Sequence, residues 1–259
     1  EYELLDELLR RGYSTWISTT MALTTHEQIK NTIQGARHIL VATRTLPEGA
    51  PPLAFVVGLA AGLALCQFLK RLGKKTDIVA QGYGGCPRLA FLPEMETVQN
   101  TLKNAQKFTI TLNAAGAKIS DLRYDIQGDE LCIHITPKHG LLSPDNVTAH
   151  AENFSHDLII TIDAPDLASL GALHETHAPL FASTPIINID SQANNEQYGA
   201  VNAVDMTASS ASEVVFGHLE HWDKGLIDAR TATCLLAGLI AKTQSFQKVR
   251  SSKAFQTAG

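Results

Sequence analysis

The sequence has 259 residues, of which 44% are hydrophobic and 18% are charged, and its formal net charge is −5. This is the composition of an ordinary globular protein that can bury one large core or two smaller ones. No long run of Lys or Arg is present. Because neutralising phosphates requires clustered cations, the sequence carries no strong nucleic-acid signal and argues against a protein that coats nucleic acid.

The cysteines are scattered along the chain without a C-x-x-C pair, at Cys66, Cys86, Cys132 and Cys234. This spacing favours neither a disulfide framework nor a zinc site, and Cys66 and Cys234 lie in apolar stretches where buried thiols are common. We expect free thiols and a reducing, cytoplasmic location.

The longest apolar stretch, residues 51–66, is shorter than the roughly 20 residues that span a bilayer. It contains Gly58 and Gly62, so we expect a helix buried against a sheet and no membrane span. No signal peptide is recognisable. The chain begins without Met and stops within an apparent helix at residues 252–259, which is typical of an excerpt from a longer protein.

The first part of the chain alternates apolar strands and helices after an N-terminal helical extension, residues 1–24. In chain order we predict a helix at 25–35 capped by Thr24 or Thr25, a strand at 38–42, a loop at 47–52, a helix at 53–72 and a strand at 76–80. Strand, helix and strand in this order make a βαβ unit with a right-handed crossover and parallel strands.

The last part repeats this texture, and two predicted strands there, residues 157–163 and 185–190, each end in a carboxylate. Near-continuous Val/Ile/Leu runs are typical of buried parallel strands, and in open α/β sheets the chemistry lies beyond their carboxyl ends. We therefore expect Asp163 and Asp190 to be neighbours there. Helices are predicted at 210–222 and 231–242.

The segment at about 104–150 is different, because its apolar residues alternate with polar ones. Period two predicts half-buried strands at 108–112, 122–126 and 131–135, the last two joined by a turn at 127–130. The predicted fold class is α/β: one domain over residues 25–259 with a parallel sheet flanked by helices, and a small antiparallel β element inserted into it.

A resemblance to a known family appears at residues 188–199, which read Asn-Ile-Asp-Ser-Gln-Ala-Asn-Asn-Glu-Gln-Tyr-Gly. This segment resembles the naming motif of the DHH phosphoesterases, which include nanoRNases and phosphoadenosine-phosphate phosphatases. The loop at 44–54, residues 157–171 and residues 231–246 resemble the other motifs, so the resemblance covers roughly residues 25–100 and 154–259. The usual C-terminal substrate domain of the family is not recognisable in the chain.

Several positions depart from the pattern of the family, whose members hold two divalent metals, often manganese, through His and Asp side chains. By this resemblance Asp163 and Asp190 are retained, while the other ligand positions carry Arg44, Glu48, Ala50, Ser191, Gln192 and Lys242. A two-metal site needs several anionic or imidazole ligands on each ion, and two cations would repel the metals. We expect no catalytic residue, no bound metal and no cofactor, with manganese or magnesium only if an altered site is active.

The vestigial site thus comprises Arg44, Glu48, Asp163, Asp190, Ser191, Gln192, Asn195 and Lys242, with Asn195 holding the loop in place. We expect Arg44 or Lys242 within about 4 Å of a carboxylate, since unpaired buried carboxylates are costly. The histidine pairs at 174/177 and 218/221 have i,i+3 spacing but no third ligand in the sequence, so we assign them no metal.

Three functions remain open at this point. The first is a pseudoenzyme, a binding or assembly module that forms a homo-oligomer or binds a protein partner through the inserted sheet. The second is an active phosphoesterase on short RNA or small nucleotides with an altered metal site. The third is a sensor that binds a small nucleotide without cleaving it.

Overall fold

A computed structural model describes residues 23–45, 52–82, 89–102, 108–151 and 154–258. The predicted N-terminal extension, the predicted loop at 47–52 except for Pro52, and Glu48, Ala50 and Cys86 lie outside the described residues. The helices are α1 (Thr25–Gly35), α2 (Pro52–Arg71), α3 (Ala172–Thr176), α4 (Ala178–Ser183), α5 (Ala211–Asp223), α6 (Ala229–Thr243) and α7 (Lys253–Ala258). The strands are β1 (His38–Thr43), β2 (Lys75–Val79), β3 (Val98–Gln99), β4 (Phe108–Leu112), β5 (Ile119–Gln127), β6 (Glu130–Pro137), β7 (Val147–Ala151), β8 (Leu158–Ile162), β9 (Ile186–Asp190) and β10 (Val201–Val204).

Six strands form one parallel sheet in the order β10-β9-β8-β1-β2-β3. Strands β8 and β9 are buried along their whole length, and β1 is buried in all but its first residue. Side chains alternate between the faces: Val41 and Ile160 pack with α2, α5 and α6, whereas Leu40 and Ile159 pack with α3 and α4. The predicted α/β class with helices on both faces is confirmed.

Local sequence signals explain where the helices begin and how closely they approach the sheet. Thr24 caps α1 in a capping box with Glu27, which satisfies two backbone donors at the helix start. Helix α2 crosses the sheet at Gly58 and Gly62, where a Cβ atom would lie 3.2 Å from the Asp163 Cβ and 3.0 Å from the Ile78 Cδ1, respectively. Glycine at these two positions therefore lets α2 lie directly over the strand ends.

The inserted segment forms two separate two-stranded antiparallel sheets, β4–β7 and β5–β6. The predicted hairpin at the 127–130 turn is present as β5–β6. Strand β4, however, pairs with β7, a strand that the sequence did not predict, and not with either strand of the hairpin. As expected, the strands of this segment are antiparallel and lie outside the parallel sheet. Strand β4, however, pairs with a strand that is farther along the chain than the hairpin.

Short elements were missed elsewhere in the chain: β3 has two residues, β10 has four and contains Asn202, and α3 and α4 have five and six. Such lengths carry too little periodicity for a sequence prediction. Helix α2, at 20 residues, is the longest described. None of the described helices is both long enough and apolar enough to cross a membrane.

Candidate functional site

Two carboxylates meet at the carboxyl ends of neighbouring strands. Asp190 is the last residue of β9 and Asp163 follows β8 directly, with the Asp163 amide donating to the Ile189 carbonyl at 3.1 Å. Only 1% of Asp163 and 0% of Asp190 is exposed. The predicted adjacency of the two residues is confirmed, and we call their surroundings, with Arg44, Gln192 and Lys242, the carboxyl-end cleft.

Asp190 is held entirely by donors of the loop that follows it. Its Oδ1 accepts from the Ser191 amide at 2.7 Å and from the Gln192 amide at 3.2 Å. Its Oδ2 accepts from the Asn195 Nδ2 at 2.7 Å. Three hydrogen-bond donors therefore satisfy this buried carboxylate.

Asp163 is surrounded by cations and by an amide. Arg44 NH2 lies 3.7 Å from its Oδ2 and Lys242 Nζ lies 3.8 Å from its Oδ1. The Gln192 Nε2 donates to the same Oδ1 at 3.3 Å. The ion pairs expected for this cleft are therefore present, both on Asp163; Glu48, the other expected carboxylate, lies outside the described residues.

The environment of Asp163 is still unfavourable for a charge. Burial raises the pKa of its carboxyl, and the nearby Asp190 adds to this, while Lys242 and Arg44 lower it without fully offsetting the burial. Both cations are more accessible, with 28% of each side chain exposed against 2% for Asp163. The carboxylate is therefore the member of the group that depends most on its partners.

The loop at 188–199 is fixed by a network of amide side chains. Asn188 Nδ2 donates to Asn195 Oδ1 at 2.7 Å and to Asn202 Oδ1 at 3.1 Å. A Cβ atom on Gly199 would lie 2.7 Å from the Val201 carbonyl oxygen, so only glycine fits this close backbone approach. Asn195 thus holds the loop and Asp190, the structural role expected for it.

A cation that the sequence did not single out also reaches this loop. Arg250 NH1 donates to the carbonyl oxygens of Ser191 at 2.7 Å and Met206 at 3.2 Å. Within the described part of the chain, the buried Ser191 Oγ and Arg44 Nε have no hydrogen-bond partner. Arg250 follows helix α6 in an irregular segment, so no motif spacing pointed to it.

The described residues of the carboxyl-end cleft do not fit two divalent metals. Both carboxylate oxygens of Asp190 accept hydrogen bonds from the loop. Asp163 faces two cations and an amide N–H, none of which can bind a metal. Gln192 presents a donor where an imidazole would present a lone pair. The arrangement is that of a charge-neutralised pocket with polar walls.

The two histidine pairs have different surroundings. His174 packs edge-on against Phe181, and His177 Nδ1 lies 3.1 Å from the Leu173 carbonyl oxygen, so this pair serves local structure. His218 and His221 both contact His26 of α1, with ring centroids 4.3 Å and 4.4 Å from its ring. Burial and its two histidine neighbours lower the pKa of His218 to about 4.

No family model matches the chain. A search of solved structures finds an exopolyphosphatase-related protein from Bacteroides fragilis, with a TM-score of 0.59 and 13% sequence identity. The match covers 91% of this chain and 57% of that chain. This chain therefore spans little more than half the length of that protein, and the similarity shows a shared α/β fold.

Proposed function

We propose that this chain is a catalytically degenerate relative of the DHH-type phosphoesterases that acts as a binding or assembly module. One observation carries the proposal: Asp163, at a position where the family holds a metal, is paired with Arg44 and Lys242 at 3.7 Å and 3.8 Å. In an active relative, divalent ions neutralise the carboxylate charge at this position; here, the side chains of Arg44 and Lys242 neutralise it. The fold is therefore stable without metals and without catalysis.

The motif resemblance and the fold support this from separate directions. The segment at 188–199 keeps the Asn, Asp and Gly residues that shape the loop, as the contacts of Asn188 and Asn195 illustrate. It replaces the residues that would bind metal with Ser191 and Gln192. The residues that shape the loop are kept, while the residues that would bind metal are exchanged. This pattern is expected when selection acts on the shape and surface of the protein.

The inserted hairpin supplies a surface suited to assembly. In the β5–β6 register, Leu122 opposes Ile135, Tyr124 opposes Ile133 and Ile126 opposes Leu131, so six apolar side chains share one face. Of these, Tyr124 and Ile126 are each 70% exposed. A contiguous apolar face of this kind marks an interaction site, and a two-stranded sheet alone is only marginally stable in water.

An apolar groove of about 520 Å³ extends this face towards β4, where Ile110 and Leu112 join its lining. The edges of β5 and β6 pair with no third strand among the described residues. Open edges beside an apolar face favour pairing with a second chain. We propose that a second copy of this chain covers the face.

Sedimentation velocity tests the assembly. We expect a concentration-dependent dimer or larger oligomer for the wild-type protein and a monomer for Leu122→Asp or Tyr124→Asp, which place a charge in the apolar face. Arg123→Gln is the matched control, because Arg123 lies on the opposite face and its side chain is 79% exposed. A wild-type protein that stays monomeric at every concentration contradicts self-association.

Hydrolysis assays test the loss of catalysis. Purified protein should not hydrolyse short oligoribonucleotides, phosphoadenosine phosphate or cyclic dinucleotides when manganese is added. Turnover that disappears in Asp163→Ala would instead establish an active phosphoesterase with an altered metal site.

Anion binding without hydrolysis is a second candidate function, favoured by the unpartnered Ser191 Oγ and Arg44 Nε in the described part of the cleft. Together with Lys242 they could receive a phosphate group of a small nucleotide. Equilibrium dialysis with phosphoadenosine phosphate tests this. Saturable binding that is lost in Arg44→Met supports the sensor, and no saturable binding removes it.

A further inference from the structure

A second group of polar side chains lies towards the amino end of the same sheet, on the face of α3 and α4. His38 is the first residue of β1, Asp77 lies in β2, and His156 precedes β8 by two residues. These strands are neighbours in the sheet, which brings together residues that are up to 118 positions apart in the chain. We call the three residues the amino-end cluster.

The ligand-type atoms of the cluster converge on one carboxylate oxygen. His38 Nε2 and His156 Nε2 lie 2.7 Å and 2.9 Å from the Asp77 Oδ2. All three atoms lie within 4.8 Å of one another, the only group of three or more His, Cys, Asp or Glu residues in the described ranges that does so. The other carboxylate oxygen, Oδ1, accepts from the Gln99 Nε2 at 3.3 Å, which orients Asp77.

Hydrogen bonds on the far side of the His38 ring fix where its proton sits. His38 Nδ1 lies 2.9 Å from the carbonyl oxygen of Ser155, which can only accept, so Nδ1 carries the hydrogen. The Nε2 of the neutral ring then directs a lone pair at a carboxylate oxygen. Two lone pairs at 2.7 Å repel each other unless a proton lies between them, or unless the two atoms move apart to bind a metal ion.

His156 is arranged in the same way. Its Nδ1 lies 3.2 Å from the Ser155 hydroxyl oxygen, which can accept a hydrogen bond from an Nδ1–H and so leave the Nε2 lone pair facing Asp77. Metal-binding histidines usually donate their remote ring N–H to an oxygen of the protein, which fixes the tautomer and raises ligand basicity. Ser155 provides such an oxygen to both rings, through its backbone carbonyl and its hydroxyl.

We propose that His38, Asp77 and His156 form a binding site for one divalent transition-metal ion, with Zn²⁺ as the ion that this donor set suits best. Two imidazole nitrogens and one carboxylate oxygen favour Zn²⁺, Co²⁺ or Ni²⁺ over Mg²⁺ and Ca²⁺, which prefer oxygen ligands. Three protein ligands leave a coordination position for water, and 26% of the Asp77 side chain is exposed. The bound ion would cross-link β1, β2 and the segment that leads into β8.

The site is independent of the carboxyl-end cleft, because no residue is shared between them. It also differs from the exposed pair of His134 and Asp125, which are 2.7 Å apart but have no second imidazole. That pair provides a matched control, since His134→Gln removes a His–Asp contact of the same length from the same protein.

Titration of the full chain with Zn²⁺ by isothermal calorimetry tests the site. We expect one equivalent to bind, at least tenfold weaker binding in His38→Gln and in Asp77→Asn, and unchanged binding in His134→Gln and Asp163→Asn. The Co²⁺-loaded protein should show d–d bands in the visible range without the near-ultraviolet band of a thiolate ligand. Absence of stoichiometric binding, or binding that His38→Gln leaves intact, would mean that the cluster is only a hydrogen-bond network.

NMR of the wild-type protein tests the proposal without any variant. Zn²⁺ should shift the imidazole signals of two histidines and leave them with the Nδ1–H tautomer. Assignment of those signals to His38 and His156 supports the site. Assignment to His26, His218 or His221 would overturn it.

Discussion

The two ends of the parallel sheet hold their carboxylates in opposite ways. At the carboxyl end, Asp163 is surrounded by Arg44, Lys242 and an amide N–H, all of them donors. At the amino end, Asp77 faces two imidazoles whose remote nitrogens are engaged by Ser155. A carboxylate among donors does not bind a metal, whereas a carboxylate that faces imidazole lone pairs would share a proton or a metal ion with them. The resemblance pointed to the first end, and the donor chemistry favours the second.

The largest expected effect concerns the amide network around Asp190. Asn195→Ala removes the 2.7 Å hydrogen bond to the buried Asp190 Oδ2 and frees Asn188 at the same time. We expect the free energy of unfolding, measured by urea denaturation, to fall by about 3 kcal/mol, because the buried Asp190 loses the only donor to its Oδ2 atom among the described residues and Asn188 loses a hydrogen bond as well. Asn113→Ala removes an exposed turn contact and should cost well under half as much. Equal losses in the two variants would contradict the role given to Asn195.

A smaller effect is expected when one cation is removed from the carboxyl-end cleft. Lys242→Met should cost about 2 kcal/mol of unfolding free energy, since it strands a carboxylate that is 2% exposed. The double variant Asp163→Asn/Lys242→Met should be more stable than Lys242→Met alone. Asn is chosen because residue 163 has φ of 55°, which Asn tolerates well.

Lys224→Met is the control for that cycle, because it breaks an exposed i,i+4 pair with Glu220. It should change stability by about 0.5 kcal/mol or less. Additive losses in the double variant at positions 163 and 242 would show that the two side chains do not compensate each other.

A third group contains His26 of α1 with His218 and His221 of α5. Unlike the histidines that contact Asp77, these imidazoles share no carboxylate within the described ranges. The Nδ1 atoms of His26 and His218 are buried without a hydrogen-bond partner among the described residues. The groups around them are His221 and, in the adjoining pocket, Asp205 and Lys253. Burial lowers the pKa of His218 to about 4, so the ring stays neutral in the folded protein.

We therefore expect this cluster to weaken the fold at acidic pH. The pKa of His218 is lower in the folded protein than in the unfolded chain. The folded protein therefore has its full stability above the unfolded pKa of 6.5 and loses stability as pH falls towards 4. Unfolding experiments should show a drop of about 1 kcal/mol between pH 7 and pH 5 that His218→Phe reduces. The exposed His139→Gln should leave the drop unchanged. A wild-type protein whose stability does not depend on pH in this range would contradict the neutral state of His218.

The sequence could predict the parts of this molecule whose signals are local. A cap at Thr24 or Thr25, the apolar α2 and the two strands that lead to Asp163 and Asp190 are predicted, because each rests on a few adjacent residues. The pairing of β4 with β7 depends on contacts about 40 residues apart and could not be predicted.

The amino-end cluster shows the same limit for sites. His38 lies in β1, Asp77 in β2 and His156 just before β8, so no spacing in the sequence links them. The i,i+3 pair of His218 and His221 was noticed, but its contact with His26 depends on how α1 packs on α5. Residue spacing predicts a site only when one element carries it.

Binding of Mn²⁺, measured by electron paramagnetic resonance on wild-type protein and on Asp163→Asn, tests the central claim most directly. The claim is that protein cations and amides have replaced metals at the carboxyl-end cleft. We predict the same free Mn²⁺ signal for both proteins at every concentration, since any ion held at the amino-end cluster is common to both. Mn²⁺ that the wild-type protein binds and Asp163→Asn releases would contradict the account.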